Sequence, residues 1–250
     1  MKIALAQTNI VWEDEKTNLV KAEEWIKKAS DGGADMVFFP EMSFTGFSVK
    51  TLANAATDDR TLDTIKEYAK RYNIAVGFGL AVRDGDKARN RYIVVSDEGE
   101  VLSCYDKINL FLRGLEHKNF IPGDHVIAFT YKGLKLATFI CFDLRFPEIF
   151  REIKELNNED IDAMIIPANW PGEREMHWSA LLQARAIENQ MFMLGVNCVG
   201  DIGGTYYSGC SQAFDPYGYP IDKIKDIEDL LFVDIDDRSR EARKNFCLRR

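Results

Sequence analysis

The chain has 250 residues, of which 46% are hydrophobic, and a formal net charge of −8. This length and apolar content predict one domain over residues 1–250 with a sizeable core. The acidic charge argues against a nucleic-acid partner, because nonspecific binding depends on Lys and Arg side chains that neutralise phosphates. No apolar run approaches the ~20 residues that a membrane helix needs, so no membrane partner is expected.

The sequence alternates short apolar runs with amphipathic helical patterns. In chain order, the pattern predicts a strand at 2–7, a helix at 17–30, a strand at 34–39, a helix at 61–72, strands at 74–80, 91–96, 101–105, 126–131 and 134–140, a helix at 147–156, a strand at 163–167, a helix at 176–190, and a strand at 192–197. Strands 91–96 and 101–105 are predicted to form a hairpin, as are 126–131 and 134–140. Because hairpins and crossovers are mixed, a purely parallel doubly wound sheet is not expected. The charge-rich segments 222–229 and 234–244 are predicted to be solvated surface.

Cysteine and histidine usage bears on compartment and cofactors. The five cysteines are scattered, without a Cys-x-x-Cys pair, which fits a reducing, cytoplasmic location better than a disulfide framework. Among His117, His125 and His177, no pair has metal-ligand spacing, and no Gly-rich phosphate cradle is present. The sequence therefore predicts no metal and no cofactor.

Three predicted strands end in residues with complementary chemistry. Cys141 follows the apolar run 134–140, Glu41 follows the run that begins at Met36, and Lys107 follows strand 101–105. Singly, each has an ordinary explanation, since a free Cys is usually a small core residue and a lone Glu or Lys is usually a cap or a surface charge. Together, at strand ends that open into a crevice, they indicate an amide-cleaving site.

The chemistry of amide cleavage assigns a role to each of these residues. Cys141 is the expected nucleophile, because a nearby Lys and a helix N-terminus favour the thiolate. Glu41 is the expected general base, which takes the thiol proton and returns it to the leaving nitrogen. Lys107 and the backbone N–H of Phe142 are the expected donors to the tetrahedral oxyanion. A thioester on Cys141 is then hydrolysed by water that Glu41 activates.

Three segments resemble the signature segments of the nitrilase, or carbon-nitrogen hydrolase, superfamily in the family's chain order. They are Phe39-Pro-Glu41, residues 106–111 and residues 141–148. Further similar segments lie at 2–7, 167–171, 184–190 and 209–218. The resemblance implies a four-layer α-β-β-α sandwich, with two mixed sheets packed between helix layers, and a homodimer or higher homo-oligomer. From composition alone, Glu116 is predicted to be a loop carboxylate. The resemblance instead implies that Glu116 orients Lys107 and the substrate nitrogen.

The resemblance also indicates a branch of the superfamily. Nitrilases typically carry Trp-Glu after the nucleophile, whereas this chain has Phe142-Asp143. In this respect the chain resembles the amidases of the superfamily. Segments 141–147 and 168–174 are similar to those of ω-amidases, which act on 2-oxoglutaramate and 2-oxosuccinamate. The family more often has Tyr at the position of Phe142, and the C-terminal stretch 243–249 departs from the usual ω-amidase ending. Alternatives are a deaminated glutathione amidase, an N-carbamoyl amine hydrolase, or a catalytically silent binding subunit.

A dicarboxylic acid monoamide as substrate requires a cation for its distal carboxylate. Arg174 and Arg145 are the candidates, because a guanidinium fork matches a carboxylate. Alternatively, Arg145 pairs with Glu148 or Asp143, and Arg174 is a surface residue. Two aromatic residues are further candidates for apolar pocket walls, although core packing is the usual role of an aromatic side chain: Trp170 and Phe44.

Overall fold

The computed structural model describes residues 1–48, 51–157 and 160–246. The strands within these residues are β1 Lys2–Gln7, β2 Met36–Phe38, β3 Ala75–Asp84, β4 Lys87–Val95, β5 Val101–Asp106, β6 Ala128–Tyr131, β7 Leu134–Thr138, β8 Ala163–Ala168, β9 Phe192–Asn197, β10 Val199–Ile202, β11 Thr205–Phe214, β12 Pro220–Lys225 and β13 Asp229–Asp234. The α-helices are α1 Glu15–Asp31, α2 Thr51–Asn54, α3 Arg60–Tyr72, α4 Glu116–Asn119, α5 Pro147–Leu156, α6 Glu175–Asn189 and α7 Arg238–Asn245.

The strands form two mixed sheets. The first sheet has the order β13-β1-β2-β3-β4-β5, and the second has the order β10-β11-β9-β8-β7-β6, with β12 paired to β11. In the first sheet β1, β2 and β3 are parallel, and in the second β7, β8 and β9 are parallel. In each sheet, antiparallel strands lie on both sides of these three parallel strands. The carboxyl ends of the parallel strands are where polar side chains can converge.

Alternation along β1 shows how the layers form. Ile3 and Leu5 belong to the core between the two sheets, whereas Ala4 and Ala6 belong to the core beneath α1 and α3. Helices α5 and α6 pack on the other face of the second sheet, and their buried residues join the first of these cores. The result is a four-layer α-β-β-α sandwich of two mixed sheets, which confirms the predicted fold class.

Most predicted elements are present, but the hairpin of β3 and β4 and the paired strands β10, β11 and β12 were not predicted. Strands β3 and β4 are longer than predicted and pair from Val76↔Val95 to Asp84↔Lys87. The turn uses Gly85, whose φ of +61° suits glycine. Charged residues towards the turn, such as Arg83 and Arg89, obscured the apolar pattern of this hairpin.

The prediction that segment 234–244 is solvated surface is wrong in part. Helix α7 buries Ser239 and Ala242, which are three residues apart and share one face. Arg240 donates to the buried carboxylate of Asp162 at 3.0 Å. Helix α7 therefore packs against the protein through its small buried residues, although its composition is largely charged. In the other charge-rich segment, β12 is almost entirely exposed.

Two further observations concern the described part of the chain. None of its helices combines the length and the apolar character that crossing a bilayer requires. Its four cysteines are all free, and two of them, Cys198 and Cys210, are buried. The fifth, Cys247, lies outside the described residues.

Candidate active site

Glu41 lies just beyond the carboxyl end of β2 in a tightly held turn. The Tyr92 hydroxyl donates to the Phe39 carbonyl at 2.7 Å, and the Ser43 hydroxyl donates to the Pro40 carbonyl at 2.6 Å. Gly79 on β3 allows the turn to approach, because a Cβ there would lie 2.6 Å from the backbone nitrogen of the residue after Glu41. The carboxylate is 1% exposed. Its position is therefore fixed by two neighbouring strands.

Lys107 follows β5 and points into the same buried space. Its Nζ lies 2.9 Å from Glu41 Oε1 and 3.0 Å from Glu116 Oε2. Burial lowers the pKa of Lys107, but the charges of Glu116 and Glu41 outweigh it, so the net shift is upward. Lys107 is therefore a cation held between two carboxylates, and the three charges sum to −1.

Glu116 is the first residue of α4 and is completely buried. Besides Lys107, its carboxylate accepts the backbone N–H of Phe111 at 2.6 Å. The Asn90 amide nitrogen donates to Glu116 at 2.9 Å and to Glu41 at 2.7 Å. Glu116 is thus a member of the charged cluster and not an isolated loop carboxylate.

Cys141 begins a short 3-10 helix, Cys141–Arg145, after β7. Its φ is +47°, which is unusual for a residue with a side chain and holds the thiol at a sharp turn. Cys141 is half-buried and lines a pocket together with Glu41 and Lys107. A thiol that shares a pocket with a carboxylate base and an ammonium group has the groups that thiol-dependent acyl transfer requires.

The protonation state of Cys141 differs from the sequence-based expectation. Burial and the charge of Glu41 raise the pKa of the thiol well above its ordinary value, although the charge of Lys107 acts in the opposite direction. Lys107 does favour the thiolate, as predicted, but burial and the charge of Glu41 outweigh it, so the net shift favours the protonated thiol in the resting site. A thiol that stays protonated needs a general base before it can attack, and Glu41 is the candidate for that role.

A pocket of about 610 Å³ opens above Cys141. Aromatic side chains form part of its wall, and the rings of Phe111 and Phe142 lie 5.1 Å apart. Trp170 is 3% exposed, and its indole N–H donates to the Arg174 carbonyl at 2.8 Å. Phe44, the other aromatic candidate, does not line this pocket. It is buried against Phe39 and Phe78 in the core beneath α1 and α3.

Arg145 and Arg174 both line the pocket. The Arg145 guanidinium stacks 4.6 Å from the centre of the Trp170 ring, and its Nη2 lies 3.3 Å from His177 Nδ1. Within residues 1–48, 51–157 and 160–246, Arg145 forms no ion pair with Asp143 or Glu148, so that alternative is not observed. Arg174 pairs with Glu173, a largely exposed residue.

The two arginines are electrostatically coupled. Burial and the charge of Arg174 lower the pKa of Arg145, because two like charges lie near each other. Arg113 also lines the pocket, whereas Glu173 contributes an opposing charge. The pocket mouth is therefore positively charged on a protein whose net charge is −8, and it is suited to an anionic group.

Two asparagines were missed by the sequence analysis. Asn90 lies between Arg89 and Arg91 on β4, and strand alternation turns it inward when they face outward. That alternation was an available signal, but the predicted strand began at 91, four residues after β4 begins at Lys87, and so left out Asn90. Asn169 follows β8, and its backbone N–H donates to Glu41 Oε2 at 3.0 Å while its side chain donates to the Glu41 carbonyl. No local pattern indicated this long-range contact.

Among residues 1–48, 51–157 and 160–246, no group of three or more His, Cys, Asp and Glu side chains is arranged to hold a metal ion.

Comparison with known proteins extends these findings. The model of the carbon-nitrogen hydrolase family matches residues 2–244. The chain is 34% identical to the omega-amidase YafV of Yersinia enterocolitica, over 87% of this chain and 82% of that protein. It is 32% identical to the 2-oxoglutaramate amidase of Bacillus subtilis, over 97% and 94% of the two chains.

A solved structure has the same architecture. A mutant of the amidase from Nesterenkonia sp. AN1, described as showing the result of Michael addition of acrylamide at its active site cysteine, superposes with a TM-score of 0.88. The identity is 25%, and the match covers 98% of this chain and 99% of that one.

Proposed function

Because the chain belongs to the carbon-nitrogen hydrolase family and is an amidase, we propose that it cleaves the terminal amide of small dicarboxylic acid monoamides to the acid and ammonia. The resemblance drawn from the three signature segments is confirmed. Substrates such as 2-oxoglutaramate and 2-oxosuccinamate combine a short chain with a distal carboxylate. The observation that carries the proposal is that Cys141 lies with the buried residues Glu41, Lys107 and Glu116 beneath a pocket that presents Arg145 and Arg174.

The first half-reaction forms a thioester. Cys141 Sγ attacks the amide carbon as Glu41 takes the thiol proton, which agrees with the raised pKa of Cys141. Lys107 Nζ and the Phe142 backbone N–H stabilise the oxyanion, and each such donor contributes about 10²–10³-fold in turnover. Glu41 then gives the proton to the leaving nitrogen, and ammonia departs.

The second half-reaction releases the acid. Glu41 takes a proton from water, and the resulting hydroxide adds to the thioester carbon. The tetrahedral intermediate collapses, the C–S bond breaks, and Cys141 recovers its proton from Glu41. Glu116 keeps Lys107 aimed at the oxyanion, since both of its oxygens lie within 3.2 Å of Nζ.

The pocket mouth supports the substrate class. We assign the distal carboxylate to Arg174 or Arg145, with Trp170 as an apolar wall that stacks on Arg145. A single domain, a cytoplasmic location and a homo-oligomeric state stay predictions.

Ammonia release from a panel of amides tests this function. The panel contains 2-oxoglutaramate, succinamate, glutamine, carbamoylputrescine and a nitrile. The proposal predicts that 2-oxoglutaramate or succinamate is the best substrate, with an acyl adduct on Cys141 that mass spectrometry detects during turnover. Carbon dioxide released with ammonia would instead identify an N-carbamoyl hydrolase, and no product from any member would favour a silent binding subunit.

The variant Cys141→Ala tests the covalent mechanism. It removes the nucleophile and nearly preserves packing, so the protein stays folded and ammonia release is abolished. Near-wild-type ammonia release from this variant would exclude the thioester mechanism.

A further inference from the structure

Asp143 lies two residues after Cys141 and is completely buried. Its Oδ1 accepts the backbone N–H of Asn109 at 2.8 Å and the side-chain amide of Asn109 at 3.0 Å. Its Oδ2 accepts the Tyr105 hydroxyl at 2.8 Å and the backbone N–H of Ile140 at 3.1 Å. The carboxylate thus accepts four hydrogen bonds, which is the full capacity of the group.

These partners belong to two different parts of the site. Tyr105 lies on β5 and Asn109 lies two residues after Lys107, whereas Ile140 directly precedes Cys141. Strands β5 and β7 are in different sheets, so no ladder of backbone hydrogen bonds fixes the distance between them. The Asp143 carboxylate makes that connection.

The turn that Asp143 holds is strained. Cys141 has a left-handed φ of +47°, a conformation that is unfavourable for a residue with a side chain and persists only where the surroundings enforce it. Asp143 enforces it from both sides, since its own N–H donates to the Ile140 carbonyl at 3.0 Å while its side chain accepts from the Ile140 N–H. Loss of this clamp would let the Phe142 N–H and the thiol move away from Lys107.

We propose that Asp143 is a positioning residue whose ionised carboxylate holds the Cys141 turn in register with Lys107, and that its protonation turns the site off. Asp143 itself does not line the pocket. The inference rests on the proposed function, because it assigns a role to a neighbour of that site.

The hydrogen-bond partners explain why protonation matters. A protonated carboxyl must donate one hydrogen bond, but three of its four contacts are N–H donors, and only the Tyr105 hydroxyl is able to accept. Burial raises the pKa of Asp143 to about 6, although Lys107 and the hydrogen bonds from Asn109 and Tyr105 lower it. Helix α6, which packs against this turn, brings a further charged side chain near it: Arg185 donates to the carbonyl of Leu144, the residue after Asp143, at 3.2 Å.

The test measures how fast acrylamide alkylates Cys141 in the full chain, by intact-mass spectrometry, across the acidic and neutral pH range. In the wild type, the rate should fall as the pH drops through about 6. Asp143→Asn should slow alkylation at neutral pH by roughly 10²-fold, the effect of a small misplacement of reacting groups, and should remove the step near this pH. Tyr105→Phe removes one donor to the carboxylate, so the step should move to higher pH.

A matched control uses another buried aspartate. Asp162 is 1% exposed and accepts hydrogen bonds from the Lys135 backbone and from Arg240, away from Cys141. Asp162→Asn should lower stability while leaving the alkylation rate and its pH step unchanged. If Asp143 had a purely structural role, the Asp143→Asn variant would also keep the pH step in its alkylation rate.

Two results would overturn the inference. One is a folded Asp143→Asn protein that is alkylated at the wild-type rate, and the other is an unmoved pH step in Tyr105→Phe. If Asp143→Asn does not fold, Tyr105→Phe alone decides. Alkylation requires no amide turnover, so a chain that hydrolyses none of the panel but shows the predicted alkylation pattern would refute the proposed function and not this inference.

Discussion

Replacing Lys107 by Met tests whether one buried ammonium compensates two buried carboxylates. Lys107 is 1% exposed and lies 2.9 Å from Glu41 and 3.0 Å from Glu116, which are exposed by 1% and 0%. Removing one partner of such a buried ion pair costs about 3–5 kcal/mol, because the remaining charge is left uncompensated. We therefore expect Lys107→Met to lose about 3–5 kcal/mol in the free energy of unfolding.

A second substitution isolates the electrostatic cause. The double variant Lys107→Met/Glu116→Gln leaves one uncompensated carboxylate in place of two, so it should be more stable than Lys107→Met alone. Both variants lack the oxyanion donor, and both should therefore lose about 10²–10³-fold in turnover. Stability thus recovers in the double variant while activity does not.

Urea unfolding, followed by circular dichroism, measures these changes. Lys28→Met is the matched control, since Lys28 pairs with Asp229 at 2.8 Å but the two side chains are 55% and 42% exposed. An exposed pair contributes only about 0–1 kcal/mol. A loss in Lys107→Met as small as that of the control, or a double variant no more stable than the single one, would refute the charge-compensation argument.

Two further predictions concern the substrate and the charged cluster. Either Arg174 or Arg145 should bind the distal carboxylate, and replacing that residue by alanine should lower kcat/KM for succinamate by a factor equivalent to about 1.5–3 kcal/mol. The same variant should leave kcat/KM for butyramide unchanged. Equal losses on both amides would indicate structural damage. Asn90→Leu keeps a similar volume but removes donors to Glu41 and Glu116 at 2.7 and 2.9 Å, so kcat should fall. A wild-type kcat in this folded variant would contradict a positioning role for Asn90.

Sequence alone singled out three candidate catalytic side chains because the relevant signals are local. Glu41, Lys107 and Cys141 each stand directly after an apolar strand pattern, and each lies inside a contiguous segment with a family resemblance. Strand ends open at the edge of a sheet, so the three residues were expected to meet. The structure brings them together with Glu116, which only the resemblance had singled out.

Tertiary structure decided what depends on residues far apart in the chain. The upward shift of the Cys141 pKa follows from burial and from the charges of a cluster whose members are up to a hundred residues apart. The long-range contacts of Asn90 and Asp143 likewise leave no mark on local composition. Phe44, a candidate for either a pocket wall or the core, lies in the core beneath α1 because strand and turn geometry direct its ring there. Local periodicity determines which residues lie at a strand end, but charge compensation and hydrogen-bond partnership are sums over the folded neighbourhood, which only the tertiary structure specifies.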